Sequence, residues 1–388
     1  MANELSSLQK IHYSKKVMSE LFFKVTALSL AEMVDMPHGI TYTRPSIDFN
    51  GLTSYTKNTD ITVSDTDTDA ESLTINQTPL VPFGIDEVEL LEIDYSLLDT
   101  LATRAAQQIR EDMDGNFFNE VLNADLTNSS PVTLTAWASQ NSVATYSNAV
   151  AELVNNGVDK TKLVSVIDPM SLATIGNAAI GNTFNEADVS FRRGFTGQRF
   201  AGTMVNESTL LTATTDLQLA TNPTANDTVT INGVVFTFVA SPSNPGDVDI
   251  GANAAGSVAN LVAAINGAAG AGTTYIEVST NNRNRKLAGI TATDNTTSIG
   301  IVSKRGYRPM TSSLTAAADN FDQIVINNVI MEKGAIAMAI QKGINMVTRD
   351  KPLQIGTNFF TWARYGLKTF QEGKERMYRL QIVAAAAE

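Results

Sequence analysis

Asp65, Asp67 and Asp69 alternate along the chain as the first ligands of a calcium loop do. Such a loop converges several carboxylates on one hard cation, turns on a glycine at its sixth position and closes with a glutamate at its twelfth. Here those two positions are Ala70 and Asn76. The three acids therefore read as a solvated tip, not a metal site. Arg192, Arg193 and Arg199, interleaved with Gly194 and Gly197, are the residues that could grip a phosphate. Neither the dinucleotide-loop spacing nor a Gly-Lys-Ser/Thr ending accompanies them, so a plain loop and strand is expected. Asp247 and Asp249 alone do not make a metal site either.

Composition narrows the chemistry further. The 388 residues include no cysteine, which excludes disulfides and thiolate metal centres. The only histidines are His12 and His38, so no histidine-centred triad or histidine metal cluster is expected within one chain. No catalytic, cofactor-binding or metal-binding set is expected, and an enzyme is the least favoured class. Forty acids against 28 bases give a formal charge of -12, and no long basic stripe of the kind nucleic-acid readers carry is present. An acidic wall would not stick to enclosed DNA. No apolar run is long enough to span a membrane. Glu4, Lys15, Lys16 and Lys24 break up the amino terminus where a secretory signal needs an apolar core, so folding in a cytoplasm is expected.

The elements that would position these residues fall into six stretches. Residues 1–37 read as a helical arm, with Leu5, Leu8, Val17, Leu21, Val25 and Leu28 at roughly helical spacing. Residues 38–90 read as an extended hairpin. Ile40–Thr43 and Leu73–Asn76 alternate as strands do, with a Thr, Ser and Asp tip between them. At ~3.3 Å per residue such a hairpin could reach ~50 Å. An isolated hairpin is barely stable in water, so a long thin one needs a surface to lie on, most economically a neighbouring copy. In 91–144 the clearest helix runs from Tyr95 to Leu122, with Leu98, Leu101, Ala105, Ile109, Met113, Phe117 and Val121 at three- and four-residue steps. It would extend ~42 Å.

Residues 145–213 alternate helix and strand. A helix from Tyr146 to Asn155 is followed by the apolar strand Leu163–Ile167, then by a helix started by Asp168-Pro169 and ending near Ile175. Residues 214–317 interrupt the acidic pattern as a β-rich module. Six acids there (Asp216, Asp227, Asp247, Asp249, Glu277, Asp294) balance six bases (Arg283, Arg285, Lys286, Lys304, Arg305, Arg308). Two alternating strands flank Asn232-Gly233, the strongest short hairpin signal. A small helix spans Val258 to Ile265, and strands are expected at Tyr275–Val278 and Leu287–Ala292. In 318–388 the earlier pattern resumes, closing on Phe359–Phe370 and Met377–Ile382 as an amphipathic hairpin turned at Gln371–Lys374.

The order of these parts resembles a tailed-bacteriophage major capsid protein of the Hong Kong 97 fold, an α+β architecture. The hairpin is similar to that family's E-loop, the helix Tyr95–Leu122 to the spine helix of its peripheral domain, and Leu163–Ile167 with Asp168-Pro169 to its axial domain. Gly197–Ser208, Glu332–Met338 and Ala363–Lys368 also resemble family segments. The resemblance implies a virion shell of pentamers and hexamers around double-stranded DNA, assembled in a host bacterial cytoplasm. It also implies a separate scaffolding protein, a portal and room for a decoration protein, with 214–317 as an inserted surface domain. Subunit-contact candidates are Asp65, Asp67 and Asp69 against Arg192, Arg193 and Arg199 of the next copy. Lys57 matches no crosslinking motif of the family, so no covalent crosslink is expected. An encapsulin-like protein compartment and a secreted adhesin are the competing readings.

Overall fold

The computed structural model describes residues 26–47, 54, 56–58, 60, 68–86, 96–124, 126, 141–180, 199–200, 202–314, 319–350 and 356–383. These form two compact units. The described residues within Met1–Glu120 and Lys333–Lys374 make the first, and those within Val121–Glu332 and Glu375–Glu388 make the second.

The first unit is built on the long helix Ser96–Asn123, 28 residues without a break. Its Ala105, Ile109, Met113 and Phe117 are buried, the stripe that the three- and four-residue spacing calls for. A four-stranded sheet accompanies it, in the order Glu32–Val34, Ala337–Asp350, Gly356–Lys368, Leu80–Asp86. The first pair is parallel and the other two are antiparallel. Phe83 stands opposite Phe359, and their rings stack at 5.0 Å. Tyr365 pins sheet to helix: its hydroxyl accepts from Asn116 Nδ2 at 2.8 Å and donates to Asp112 Oδ2 at 2.8 Å. Asp114, also on the helix, is buried. It accepts from the Ala27 amide at 2.8 Å and pairs with Arg110 at 3.5 Å, one turn away. That carboxylate sits at the start of the short helix Thr26–Leu30, where exposed amides favour negative charge.

Beside this sheet, Thr41–Ile47 and Thr68–Thr74 pair antiparallel over seven residues each. Glu32–Val34 is a strand, not the last turns of an arm helix, because it hydrogen-bonds along Ala337–Ala339. Most of the expected arm helix lies outside the described residues.

In the second unit, an eight-stranded sheet carries the fold. Its centre is Val325–Glu332, flanked along one side by Met377–Val383. On its other side, Leu163–Ile167 pairs with Val329–Glu332, and Ala213–Gln218 pairs with Val325 and Ile326. All five residues of Leu163–Ile167 are buried, which explains their largely apolar character. Thr203–Glu207 runs parallel to that strand, and Arg199–Phe200 ends the sheet on that side. Towards the other end, Ser298–Ser303 and Ile290–Asp294 extend it from Ala213–Gln218. The compositional break near residue 214 therefore falls inside a continuous sheet.

A second sheet orders Asp247–Asp249, Val234–Val239, Thr228–Ile231 and Met310–Ser312. Its hairpin turns on Asn232 at φ 48 and Gly233 at φ 70, the left-handed pair that a two-residue turn requires. The helix Ala254–Asn266 is capped by Asn253, which accepts from the Gly256 amide, and stops at Gly267 with φ 66. Phe236, Phe238, Leu261, Tyr275 and Ile299 belong to one shared core.

Three expectations change. Tyr275–Val278 is not a strand; only Tyr275 makes isolated bridges, to Val248 and Ala271. The helix begun at Pro169 continues to Ile180, since Ala178, Ala179 and Ile180 favour helix over the loop that Gly176 and Asn177 announce. Gly356–Lys368 and Met377–Val383 do not pair with one another. The short helix Gln371–Glu375 separates them, and each joins a different sheet.

Candidate assembly surface

Arg44 and Glu71 face each other across the hairpin Thr41–Ile47/Thr68–Thr74. Arg44 Nε lies 3.8 Å from Glu71 Oε2, and its Nη2 lies 3.5 Å from Glu372. The same guanidinium sits 3.9 Å from the centre of the Phe370 ring, a cation–π contact. The Gln371 amide donates to Glu71 Oε1 at 2.8 Å. One arginine thus clamps the hairpin's root to the segment 370–372. Below it, Leu73 and Ile75 enter a small core with Met36, Ala337, Ala339 and Phe370. Gly366 lets the neighbouring strand pass close, since a Cβ there would overlap the Thr74 carbonyl oxygen.

Apart from Leu73, the hairpin's described side chains are polar or exposed, at the root as well as towards its tip. Thr41, Tyr42, Thr43 and Pro45 on one strand, with Asp69, Ala70 and Ser72 on the other, are all exposed. Ile40 and Tyr42 keep 56% and 36% of their surface in water, apolar area that nothing in the described residues covers. Pro45 withholds an amide from one strand, as edge strands tolerate.

Among the contact residues expected from the sequence, Asp69 is exposed on Thr68–Thr74 opposite Ser46, in the first unit. Arg199 begins the two-residue edge strand opposite Met204, in the second. Asp65, Asp67, Arg192 and Arg193 lie outside the described residues. Lys57 is exposed. The Arg44–Glu71–Phe370–Glu372 clamp was not among the expected contacts.

Two sets of buried polar groups in the second unit make structural hydrogen bonds. Tyr146 on the helix Asn141–Asn155 meets Ser165 at 2.5 Å and also Thr203, and Ser165 and Thr203 lie 3.0 Å apart. The three hydroxyls tie a helix to two strands, and burial pushes the Tyr146 phenol up. Asp168 accepts from the Met170 amide at 2.9 Å, while its own amide donates to Asn328 Oδ1 at 2.8 Å. This is a helix cap. Burial raises the Asp168 carboxyl, Glu207 adds to the rise, and the Met170 and Ser171 amides and Arg308 oppose it. Among the described residues no three of His, Asp and Glu converge to hold a metal. No described helix is long and apolar enough to cross a membrane.

The structure is similar to a capsid structure of cyanophage P-SCSP1u, at 12% identity over 91% of this chain and 86% of that one, with a TM-score of 0.50. Structures from Mycobacterium phage Che8 and the mature capsid of bacteriophage PhiM1 align at 10% and 9% identity, each with a TM-score of 0.49. They cover 89% and 92% of this chain, and 85% and 87% of those chains. No protein-family model and no curated protein matches the chain. At these identities the first likeness is one of fold.

Proposed function

We propose that this chain is the major capsid protein of a tailed bacteriophage, a structural subunit that closes into an icosahedral shell around double-stranded DNA. The observation that carries this reading is the fold it shares, over 91% of its length, with the cyanophage capsid structure. The exposed hairpin supports it. Strands that bury so little of themselves gain their stability from something outside the chain, and a neighbouring copy supplies it in a shell.

In this reading Ser96–Asn123 is the spine helix, the hairpin Thr41–Thr74 is the arm that reaches the next subunit, and 214–317 is an inserted surface region. Ordering the arm costs conformational entropy, so each contact is weak, and the shell's strength comes from repetition. Asp65, Asp67 and Asp69 pair with Arg192, Arg193 and Arg199 of an adjacent copy. A scaffolding protein guides assembly and a portal admits the DNA, which is held without sequence reading.

Electron microscopy of the expressed chain, alone and with a co-expressed scaffold, tests the reading. Closed particles of uniform size with nuclease-protected DNA after packaging are expected. A monodisperse monomer under both conditions contradicts it, and particles filled only with protein favour a cargo compartment.

A further inference from the structure

One sheet face in the 214–317 region is left without a covering layer among the described residues. Strands Ala213–Gln218, Ser298–Ser303 and Ile290–Asp294 turn Leu217, Ile299 and Ile301 into the core. Their other side carries Thr214, Asp216, Gly300 and Thr293, and Asp322 borders it to enclose a cleft of about 570 Å³. Glycine at 300 keeps the cleft open, since a Cβ there would stand 3.3 Å from Asp216 Oδ1. None of the residues lining the cleft is basic. Burial, and the Asp322 carboxylate beside it, raise the Asp216 carboxyl, so a cation docked here relieves an unfavourable charge pair.

The bases of the same region lie outside the cleft. All six lie between Arg283 and Arg308. Arg283 is spent on the helix Ala254–Asn266, donating to the Ala264 carbonyl at 2.8 Å and to that of Ile265. Lys286 donates to the Gly233 carbonyl at 3.0 Å. Arg285 and Lys304 are exposed and have no hydrogen bond or ion pair from their side chains among the described residues. Lys304 is held beside Gly289, whose carbonyl accepts its amide at 2.8 Å. Asp216 stands opposite Gly300, and Lys304 follows four residues later, a separation of ~13 Å along the sheet. Neither Arg285 nor Lys304 forms an ion pair with Asp216 or Asp322 of its own copy among the described residues.

We infer that the basic turn around Arg285 and Lys304 of one copy docks into the Asp216–Asp322 sheet face of a neighbouring copy, head to tail. The charges are complementary and the surfaces are different, so the contact is heterologous, and such contacts close into rings when the rotation between copies allows. This rests on the shell reading and gives it a contact outside the arm.

The natural chain has no cysteine, so Thr293→Cys with Asn284→Cys, which leaves Arg285 and Lys304 in place, supplies its only thiols. Mild oxidation of assembled particles should give a reductant-sensitive ladder of covalent oligomers on a denaturing gel. Arg285→Glu with Lys304→Glu should raise the concentration needed for half-assembly on the order of tenfold at low salt. Adding Asp216→Lys and Asp322→Lys to that chain should restore it. The melting temperature of unassembled protein checks that each variant folds. Particles that form without a ladder, or that tolerate the charge reversal, overturn this contact and leave the shell reading standing. An unmodified chain that forms no oligomer overturns both.

Discussion

Two hairpins in this molecule share the same antiparallel pairing and differ in what they bury. In Thr228–Ile231/Val234–Val239, alternate side chains enter a core, with Val229, Ile231, Phe236 and Phe238 at 1% exposure or less. In Thr41–Ile47/Thr68–Thr74 only Leu73 is buried among the described side chains, and the chain's grip is confined to the Arg44 clamp and the small core at the root. The first hairpin carries its own stabilising surface. The second is ordered pairing with a core only at its root, a state that water alone barely supports. In the proposed shell reading, the second hairpin is where a neighbouring copy supplies free energy.

Substitutions on the two sides put that difference at risk. Phe236→Ala empties a fully packed site and should cost about 3–5 kcal/mol in urea unfolding. Tyr42→Ala, its counterpart in the outer hairpin, should shift the same measurement by less than about 0.5 kcal/mol while weakening assembly. Equal effects would erase the distinction. Tyr146→Phe removes the hydroxyl that joins Ser165 and Thr203, both fully buried, and should cost about 1–3 kcal/mol. Gly233→Ala places a Cβ at φ 70 and should cost about 1–2 kcal/mol. Arg44→Ala should cost about 1 kcal/mol or less, because its ion pairs are partly exposed. Its effect should appear instead as faster amide exchange in 41–47.

A pH experiment adds a further arm. Asp168 has its carboxyl raised above 3.8 by burial. The folded state therefore binds more protons between that value and the raised one, and stability falls as pH rises through the window. Asp168→Asn should flatten that slope in the second unit, and an unchanged slope would show that another group sets it.

Much of the compact hairpin was legible in the sequence. Period-2 alternation gives its faces, and Asn232-Gly233 gives its turn, because few other dipeptides accept two left-handed residues. The long helix was legible for a similar reason, since a stripe from Ala105 to Phe117 is a local signal. Partner choice was not. Alternation in Phe359–Phe370 and Met377–Ile382 states which side chains point inward, but not which strand supplies the hydrogen bonds. The short helix at Gln371–Glu375 redirects the chain to a different sheet. The Arg44–Glu71 clamp stayed hidden because the return of Phe370 and Gln371 to it depends on contacts some 300 residues apart. Tyr275–Val278 alternates like a strand, yet only Tyr275 makes a bridge.

Amide hydrogen exchange in residues 41–47 and 68–74, compared between unassembled protein and assembled particles, asks whether the outer hairpin draws its stability from a neighbour. Rapid exchange in the free chain and strong protection only after assembly are expected, while 228–231 and 234–239 should be protected in both. Equal protection of the outer hairpin in the free chain would mean that it is stabilised from within, and would contradict its role as an arm that a second copy completes.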